Sequence, residues 1–311
     1  MAVEGLLRPP YEAAVRLSLA ALERRLLPDA VVRRLTRLLL AARLRLGYLP
    51  SADLQLAHLL LFKQCELTPP PLRFSSFSSH FVDSLIPSFC VPLEEMPIAV
   101  ETDKARTQHY ELPASFFKLV LGKNLKYREH QLSNVEIIVA DISKFQMEAT
   151  FDRILSIEMF EHMKNYKELL KKISMWMKED SLLFVHYFCH KTFAYHFEDK
   201  NEDDWITRYF FTGGTMLSAS LLLYFQDDVT VVNHWLVNGT HYARTSEEWL
   251  KRMDQNITSV RPIFESTYGK ESTTKWIAYW RTFFISVAEL FRYNNGDEWM
   301  VALYLFKKKQ N

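Results

Sequence analysis

Residues 152–177 read DRILSIEMFEHMKNYKELLKKISMWM, and this stretch decides the fold class. Its first part, Asp152–Glu158, is a short apolar run that ends in a carboxylate, which is typical of a buried strand. Its second part has the apolar spacing of one helical face, at Tyr166, Leu169, Leu170, Ile173 and Trp176. The stretch therefore predicts a strand followed by an amphipathic helix.

Similar apolar runs occur on both sides of this stretch. They predict four more strands, at Val135–Ala140, Leu182–Phe188, Val229–Trp235 and Met300–Phe306. Helices are predicted over residues 11–26, 30–46 and 113–120; proline at 113 suits the first turn of the last one. Strands that alternate with helices indicate an α/β sheet built from βαβ units.

Composition excludes several classes of protein. The chain has 311 residues, a formal net charge of +1 and 14% aromatic residues, which excludes a disordered or collagen-like chain. With a pI near 7.7 we expect no nucleic-acid partner. No apolar stretch reaches 18 residues without a charge, so we expect no membrane span. Three cysteines cannot build a disulfide framework, which favours a reducing compartment and a cytoplasmic location.

The chain divides into four predicted regions. Residues 1–63 form an N-terminal helical region, whose first 50 residues hold nine arginines and four acids. We expect its basic faces to be solvated. Residues 64–96 are irregular, with many prolines, serines and phenylalanines, and are interpreted either as a flexible functional loop or as translated intron sequence. Residues 97–127 hold cap and active-site helices, and residues 128–311 a partial Rossmann-like domain.

Polar side chains follow two of the predicted strands. In open α/β sheets ligands bind outside the carboxyl ends of the strands, which makes Asp141 a candidate; its alternative role is to cap the following turn. Glu158, Glu161 and His162 are three and four positions apart, so one helical turn would gather them. Two carboxylates and an imidazole can accept a proton or hold a cationic substrate, and surface capping is the alternative. Neither zinc nor di-iron spacing is present, so we expect no metal.

Two further groups have an ordinary structural interpretation. Cys189, His190 and His196 follow the third strand, where a cysteine is most often buried packing. An aromatic stripe at helical spacing favours a core helix, although ring faces can also form a cage for a cation; its members are Trp276, Tyr279, Trp280 and Phe283.

Long segments carry a family resemblance. They are ILSIEMFEHMKNYKELLKKISMWM (154–177), CHKTFAYHFE (189–198), LLLYFQDDVTVVNHW (221–235), RTSEEWLKRMD (244–254) and FRYNNGDEWMVALYLFKKK (291–309). These segments resemble the plant (S)-coclaurine N-methyltransferase family, within the cyclopropane-fatty-acid-synthase-like methyltransferases. The N-terminal helices and the HYELP motif at 109–113 are similar too, so the resemblance covers 1–63 and 95–311.

The resemblance implies a class I methyltransferase core that uses S-adenosyl-L-methionine, with N-terminal helices over the active site. Glu161 and His162 match the family's acid/base pair, with Glu158 beside them. Asp141 and Ile142 match the adenine-side acidic motif, and Tyr110 matches a tyrosine that lines the cofactor site. The matching aromatic substrate positions are Trp280, Phe283 and Tyr293.

The chain also departs from the family pattern. Family members carry a glycine-rich cofactor loop after their first strand, but here residues 126–128 run almost directly into residues 133–135. Only Gly122 lies between Gly47 and Gly213. We therefore predict that the first two strands are missing, since a βαβ unit takes about 30 residues. Phe284 stands where the family has a cysteine.

The resemblance implies methyl transfer to the ring nitrogen of a tetrahydroisoquinoline-type amine such as coclaurine. Two alternatives stay open: a lipid methyl or methylene transferase, and a catalytically inactive homologue. The expected partner is the small amine, and a homodimer is a further expectation.

Overall fold

The computed structural model describes residues 2–63, 93–121 and 136–310. The helices are α1 (Ala2–Glu23), α2 (Asp29–Gly47), α3 (Ala52–Lys63), α4 (Thr102–Tyr110), α5 (Ala114–Leu121), α6 (Tyr166–Met175), α7 (Thr240–Gln255), α8 (Ile257–Tyr268) and α9 (Thr273–Arg292). The strands are β1 (Phe151–Ile157), β2 (Met177–His190), β3 (Tyr195–His196), β4 (Thr215–Ser218), β5 (Val229–Val237) and β6 (Trp299–Lys308). Most of the predicted irregular segment, residues 64–92, lies outside the described residues.

The strands form one mixed sheet in the order β3-β4-β2-β6-β5, with β1 also paired to β2. β1 and β4 are parallel to β2, whereas β6 runs antiparallel between β2 and β5. This arrangement confirms the predicted α/β class. The predicted strands within 152–306 are confirmed too, because each lies inside or overlaps an observed strand.

The central strand β2 has one fully buried face, formed by Leu183, Val185 and Tyr187. Alternate residues of a strand point to the same face, so these three side chains meet helix α6 together. Leu169 and Ile173 of α6 belong to the same hydrophobic cluster. The helical period of α6 and the strand period of β2 therefore produce one shared core.

A second core lies in the helical layer around α9. Its aromatic centre includes Phe116 of α5, Phe264 of α8 and Trp280 of α9. Helices α1 and α2 both contact α9. The aromatic stripe on α9 is thus mainly a core face, which was one of its two interpretations. The N-terminal helices α1 and α2 therefore pack on this helical layer.

The prediction of a strand at Val135–Ala140 is wrong for its described part. Residues 136–140 have no regular structure, and Ile137, Ile138 and Val139 are exposed. A strand needs a hydrogen-bonded neighbour, and within the described residues none lies beside this segment. β1 is likewise paired only to β2 among the described strands, and Leu155 and Ile157 are exposed. The prediction that the strand within Asp152–Glu158 is buried is therefore wrong, although the strand itself is present.

Candidate active site

The chain leaves the sheet at Glu158, directly after β1. The N–H of Glu158 still donates to the carbonyl of His186 on β2, at 3.0 Å. Its φ of 53° lies in the left-handed region, which a residue with a side chain rarely adopts. Such a conformation costs of order 1–3 kcal/mol and occurs preferentially at functional sites. The turn directs the chain into the short 3-10 helix Phe160–His162.

The carboxylate of Glu158 is held from two sides. Its Oε1 lies 3.0 Å from Nδ1 of His186 on β2. Its Oε2 accepts a hydrogen bond of 3.2 Å from the hydroxyl of Tyr242 on α7. The side chain remains one-third exposed, so the group is both oriented and accessible.

Glu161 is fully buried, with an exposed fraction of 0%. Its Oε1 accepts a hydrogen bond of 2.8 Å from the backbone N–H of Phe188. Burial, and then the negative charge of Glu158, raise the pKa of Glu161 well above its usual value. Burial therefore favours the protonated form of Glu161, and the alternative of a surface cap is wrong for this residue.

His162 is the neighbour of Glu161 in the same short helix. Burial lowers the pKa of His162, so its imidazole is neutral near pH 7. Its ring stacks on Phe211 with a centroid distance of 6.0 Å and an interplanar angle of 6°. Of Glu161 and His162, the imidazole of His162 is the group that can accept a proton at neutral pH.

The predicted single helical turn that gathers all three residues is wrong. Glu161 and His162 share the short helix, but Glu158 precedes it in the left-handed conformation. The ladder between β1 and β2 keeps Glu158 at the sheet, where His186 and Tyr242 hold it instead of its sequence neighbours.

Aromatic residues continue from His162 toward α9. The ring centroids of Phe211 and Phe283 are 6.2 Å apart, and Phe283 stacks on Phe210 with a centroid distance of 4.5 Å. Tyr293 packs against the same hydrophobic cluster as Phe211 and Phe283. Trp280 is only 5% exposed and packs on Phe116, so it lies behind this wall. The structure thus connects two of the predicted substrate residues to His162 and places Trp280 in the core.

Asp141 lies in the turn after the exposed segment 136–140. Its Oδ1 accepts hydrogen bonds from the backbone N–H and hydroxyl of Ser143, at 2.9 and 2.6 Å. The hydrogen bond from the Ser143 hydroxyl is the main cause that lowers the pKa of Asp141, so the carboxyl is ionised. Ile142 packs against the main core. The turn cap is therefore present, and it holds Asp141 as an oriented acceptor.

These residues fit S-adenosyl-L-methionine in part. An ionised, oriented carboxylate beside an apolar side chain suits the ribose and adenine side of the cofactor. The side chain of Tyr110, at the end of α4, falls outside the described part of the chain. A glycine turn near β1 is not found in the described residues either, where glycines occur at 5, at 47 and from 213 onward.

The residues at the end of β2 and just after it are structural. Burial raises the pKa of the Cys189 thiol, so it is buried packing as expected. Burial lowers the pKa of His190 to about 4, and its Nδ1 accepts from the N–H groups of Thr192 and Phe193. His196 Nδ1 lies 2.8 Å from Nζ of Lys164. Burial lowers the pKa of Lys164 to about 7. No cluster of metal-binding side chains occurs among the described residues.

Sequence reasoning missed His186 and Tyr242, which hold Glu158. His186 had a signal, because it is a polar residue inside the apolar run LLFVHYF. Tyr242 had none, since its contact with Glu158 spans 84 positions of the chain.

Known proteins match this architecture over most of the chain. The family model described as mycolic acid cyclopropane synthetase matches residues 128–299. The chain is 36% identical over 388 residues to (S)-coclaurine N-methyltransferase from Thalictrum flavum subsp. glaucum, covering 99% of this chain and 100% of that protein. The chain belongs to the coclaurine N-methyltransferase family.

Two other family members support this assignment. The (S)-coclaurine N-methyltransferase from Papaver somniferum is 53% identical over 187 residues, which are 59% of this chain and 53% of that protein. A crystal structure of coclaurine N-methyltransferase bound to N-methylheliamine and SAH has a TM-score of 0.82 at 35% identity, covering 95% of this chain and 100% of that chain. The family membership and the class I methyltransferase fold are thereby confirmed.

The family alignment also measures what this chain lacks. It runs over 388 residues, and this chain has 311, so at least 77 aligned positions (388 − 311) hold no residue of this chain. Within the described residues no helix is long and apolar enough to cross a membrane.

Proposed function

We propose that this chain transfers a methyl group from S-adenosyl-L-methionine to the ring nitrogen of a tetrahydroisoquinoline-type amine such as coclaurine. The observation that carries the proposal is buried Glu161 next to half-buried His162, set beside an aromatic wall in a chain that aligns with such an enzyme over its whole length. The cofactor supplies the electrophilic methyl group when it is bound.

The residues of the site act on the amine before and during transfer. A secondary amine resembles lysine in being mostly protonated at neutral pH, and only its free lone pair can attack a methyl carbon. His162, held neutral by burial, accepts the proton. The carboxylate of Glu158 attracts the ammonium form and is kept in place by His186 and Tyr242.

The remaining groups position the substrate. The ring faces of Phe211 and Phe283 attract a cationic nitrogen and exclude water around it. Glu161, whose neutral form is favoured by burial, accepts a hydrogen bond from the backbone N–H of Phe188. This hydrogen bond fixes the short helix to β2. Such fixed orientation is a large part of the rate enhancement of bimolecular reactions in enzymes.

We further propose that this chain binds the cofactor weakly. Asp141 and Ile142 are the residues that would hold its adenine side, with Tyr110 as a third candidate. The unpaired outer edge of β1 and the 77 unmatched alignment positions support the view that the first two strands are missing. A cytoplasmic location and a homodimer are further parts of this proposal.

The proposal is tested with purified chain at millimolar S-adenosyl-L-methionine and a panel of secondary amines. Mass spectrometry should detect a product 14 mass units heavier from tetrahydroisoquinolines, and none from the matched carbocyclic compounds without nitrogen. Product from phospholipid alkenes and not from amines would instead show the lipid reaction. No product from any acceptor, with cofactor binding demonstrated, would show an inactive homologue.

A further inference from the structure

The inner face of helix α2 combines arginines with apolar side chains. Arg33 forms a bidentate pair with Glu247 of α7, at 2.7 and 2.8 Å, and also binds Glu289 of α9 at 2.8 Å. Arg37 reaches the second oxygen of Glu289 at 2.6 Å. Val32 is the only residue of α2 that is buried. Val32, Leu40 and Leu44 also pack into the hydrophobic clusters, so apolar contacts and charge pairs together attach the helix to the fold.

The outer face of α2 is apolar. Five large apolar side chains on it are between 40% and 78% exposed: Val31, Leu35, Leu38, Leu39 and Leu46. At 100° per residue, these positions and Ala42 fall within about 100° of the helix circumference. An amphipathic helix normally turns such a stripe to the core, so this leucine stripe is available to a partner.

Unpaired positive charge borders the leucine stripe. Arg34 and Arg45 are exposed along one of its edges, and no carboxylate partner is described for either in residues 2–63, 93–121 and 136–310. The helix has five arginines and one acid, Asp29, which Arg281 binds. The turn before it adds Arg24, Arg25 and Leu26, all exposed.

We propose that the leucine stripe of α2 lies on the surface of an anionic lipid membrane. Its leucines enter the boundary between head groups and acyl chains, and Arg34 and Arg45 contact the lipid phosphates. A leucine stripe with basic edges is the pattern of helices that lie in the plane of a membrane interface. Charge complementarity favours this occupant over a second copy, because pairing two such stripes would place Arg34 and Arg45 of both copies side by side, four arginines for which no carboxylate partner is described.

Vesicle flotation tests the proposal with the full chain. Vesicles of phosphatidylcholine with 30% phosphatidylserine are compared with pure phosphatidylcholine, at low and at 0.5 M salt. Binding should require the anionic lipid and weaken at high salt, because the ionic attraction is screened. Leu38→Gln with Leu39→Gln should reduce the partition coefficient at least tenfold. Arg34→Gln with Arg45→Gln should reduce it roughly thirtyfold.

Matched controls separate the surface from general effects. Leu236 is a leucine on β5 with similar exposure, and Arg244 and Arg261 are exposed on other helices. Leu236→Gln, and Arg244→Gln with Arg261→Gln, should leave flotation unchanged. The stripe variants replace exposed side chains, so their melting temperatures should equal that of the wild type.

Three results would overturn the proposal. One is wild-type chain that does not float with anionic vesicles. Another is equal flotation of wild type and stripe variants. The third is a dimer, seen by light scattering without lipid and abolished by Leu38→Gln with Leu39→Gln, which would make a second copy the occupant. None of these measurements depends on methyl transfer.

Discussion

Replacing Glu161 by glutamine should stabilise the protein increasingly as the pH rises. Glu161 has no exposed surface, and its folded-state pKa is raised well above the usual 4.5 by burial and by Glu158. Above pH 4.5 the unfolded chain releases the proton while the folded chain keeps it, so the wild type loses stability with each pH unit up to the folded pKa. One proton corresponds to about 1.4 kcal/mol per pH unit. Glutamine keeps the shape and has no proton to lose.

The assay is equilibrium unfolding in urea at pH 5, 6 and 7. We expect the free energy of unfolding of Glu161→Gln, minus that of the wild type, to grow from pH 5 to pH 7 by up to about 2.7 kcal/mol, which is the limit for one proton over two pH units. The matched control is Glu289→Gln, at a glutamate that is 3% exposed but paired with Arg33 and Arg37. The free energy of unfolding of Glu289→Gln should be about 1.5–3 kcal/mol lower than that of the wild type, because charge-assisted hydrogen bonds are removed. Parallel pH profiles of wild type and Glu161→Gln would refute a protonated Glu161.

Three further predictions concern chemistry and the open edge of the sheet. With cofactor and amine saturating, Glu161→Gln combined with His162→Ala should lower kcat by roughly 10²–10⁴, and an unchanged kcat would remove both residues from the mechanism. Calorimetric titration with S-adenosyl-L-methionine should give a dissociation constant weaker than micromolar, since each lost 1.4 kcal/mol is tenfold; a micromolar value would show that other residues complete the pocket. Leu155→Lys should reduce self-association measured by light scattering at high protein concentration, because charge on an exposed edge strand blocks pairing; equal association of variant and wild type would contradict this.

The local sequence pattern was sufficient to predict the helix and strands that build the main core. The apolar period of residues 166–176 and the short runs at 182–188 and 300–306 predicted a helix and two strands that the structure contains. These signals are local, because a buried face must repeat every 3.6 residues in a helix and every two in a strand. The run at 135–140 had the same appearance, yet its described part forms no strand, since pairing requires a neighbour.

The candidate residues at the strand end could also be identified from the sequence, but their roles could not. Spacing indicated Glu158, Glu161 and His162, because polar residues after a buried strand are conspicuous. Spacing could not show that Glu161 has no exposed surface, which favours its protonated form, or that His186 and Tyr242 hold Glu158. A pKa depends on burial and on charges brought close by folding, and both arise from contacts between residues far apart in the chain.

The same division applies to helix α2. Its helical form and basic charge follow from local sequence alone, since propensity and period extend over only a few residues. The side of the helix that faces the protein is the one that meets distant partners: Glu247 and Glu289, more than 200 positions away, bind Arg33, and Leu40 and Leu44 pack against a hydrophobic cluster. The leucine stripe was therefore turned outward by tertiary contacts, because an amphipathic pattern specifies two faces and only the surrounding fold determines which of them is covered.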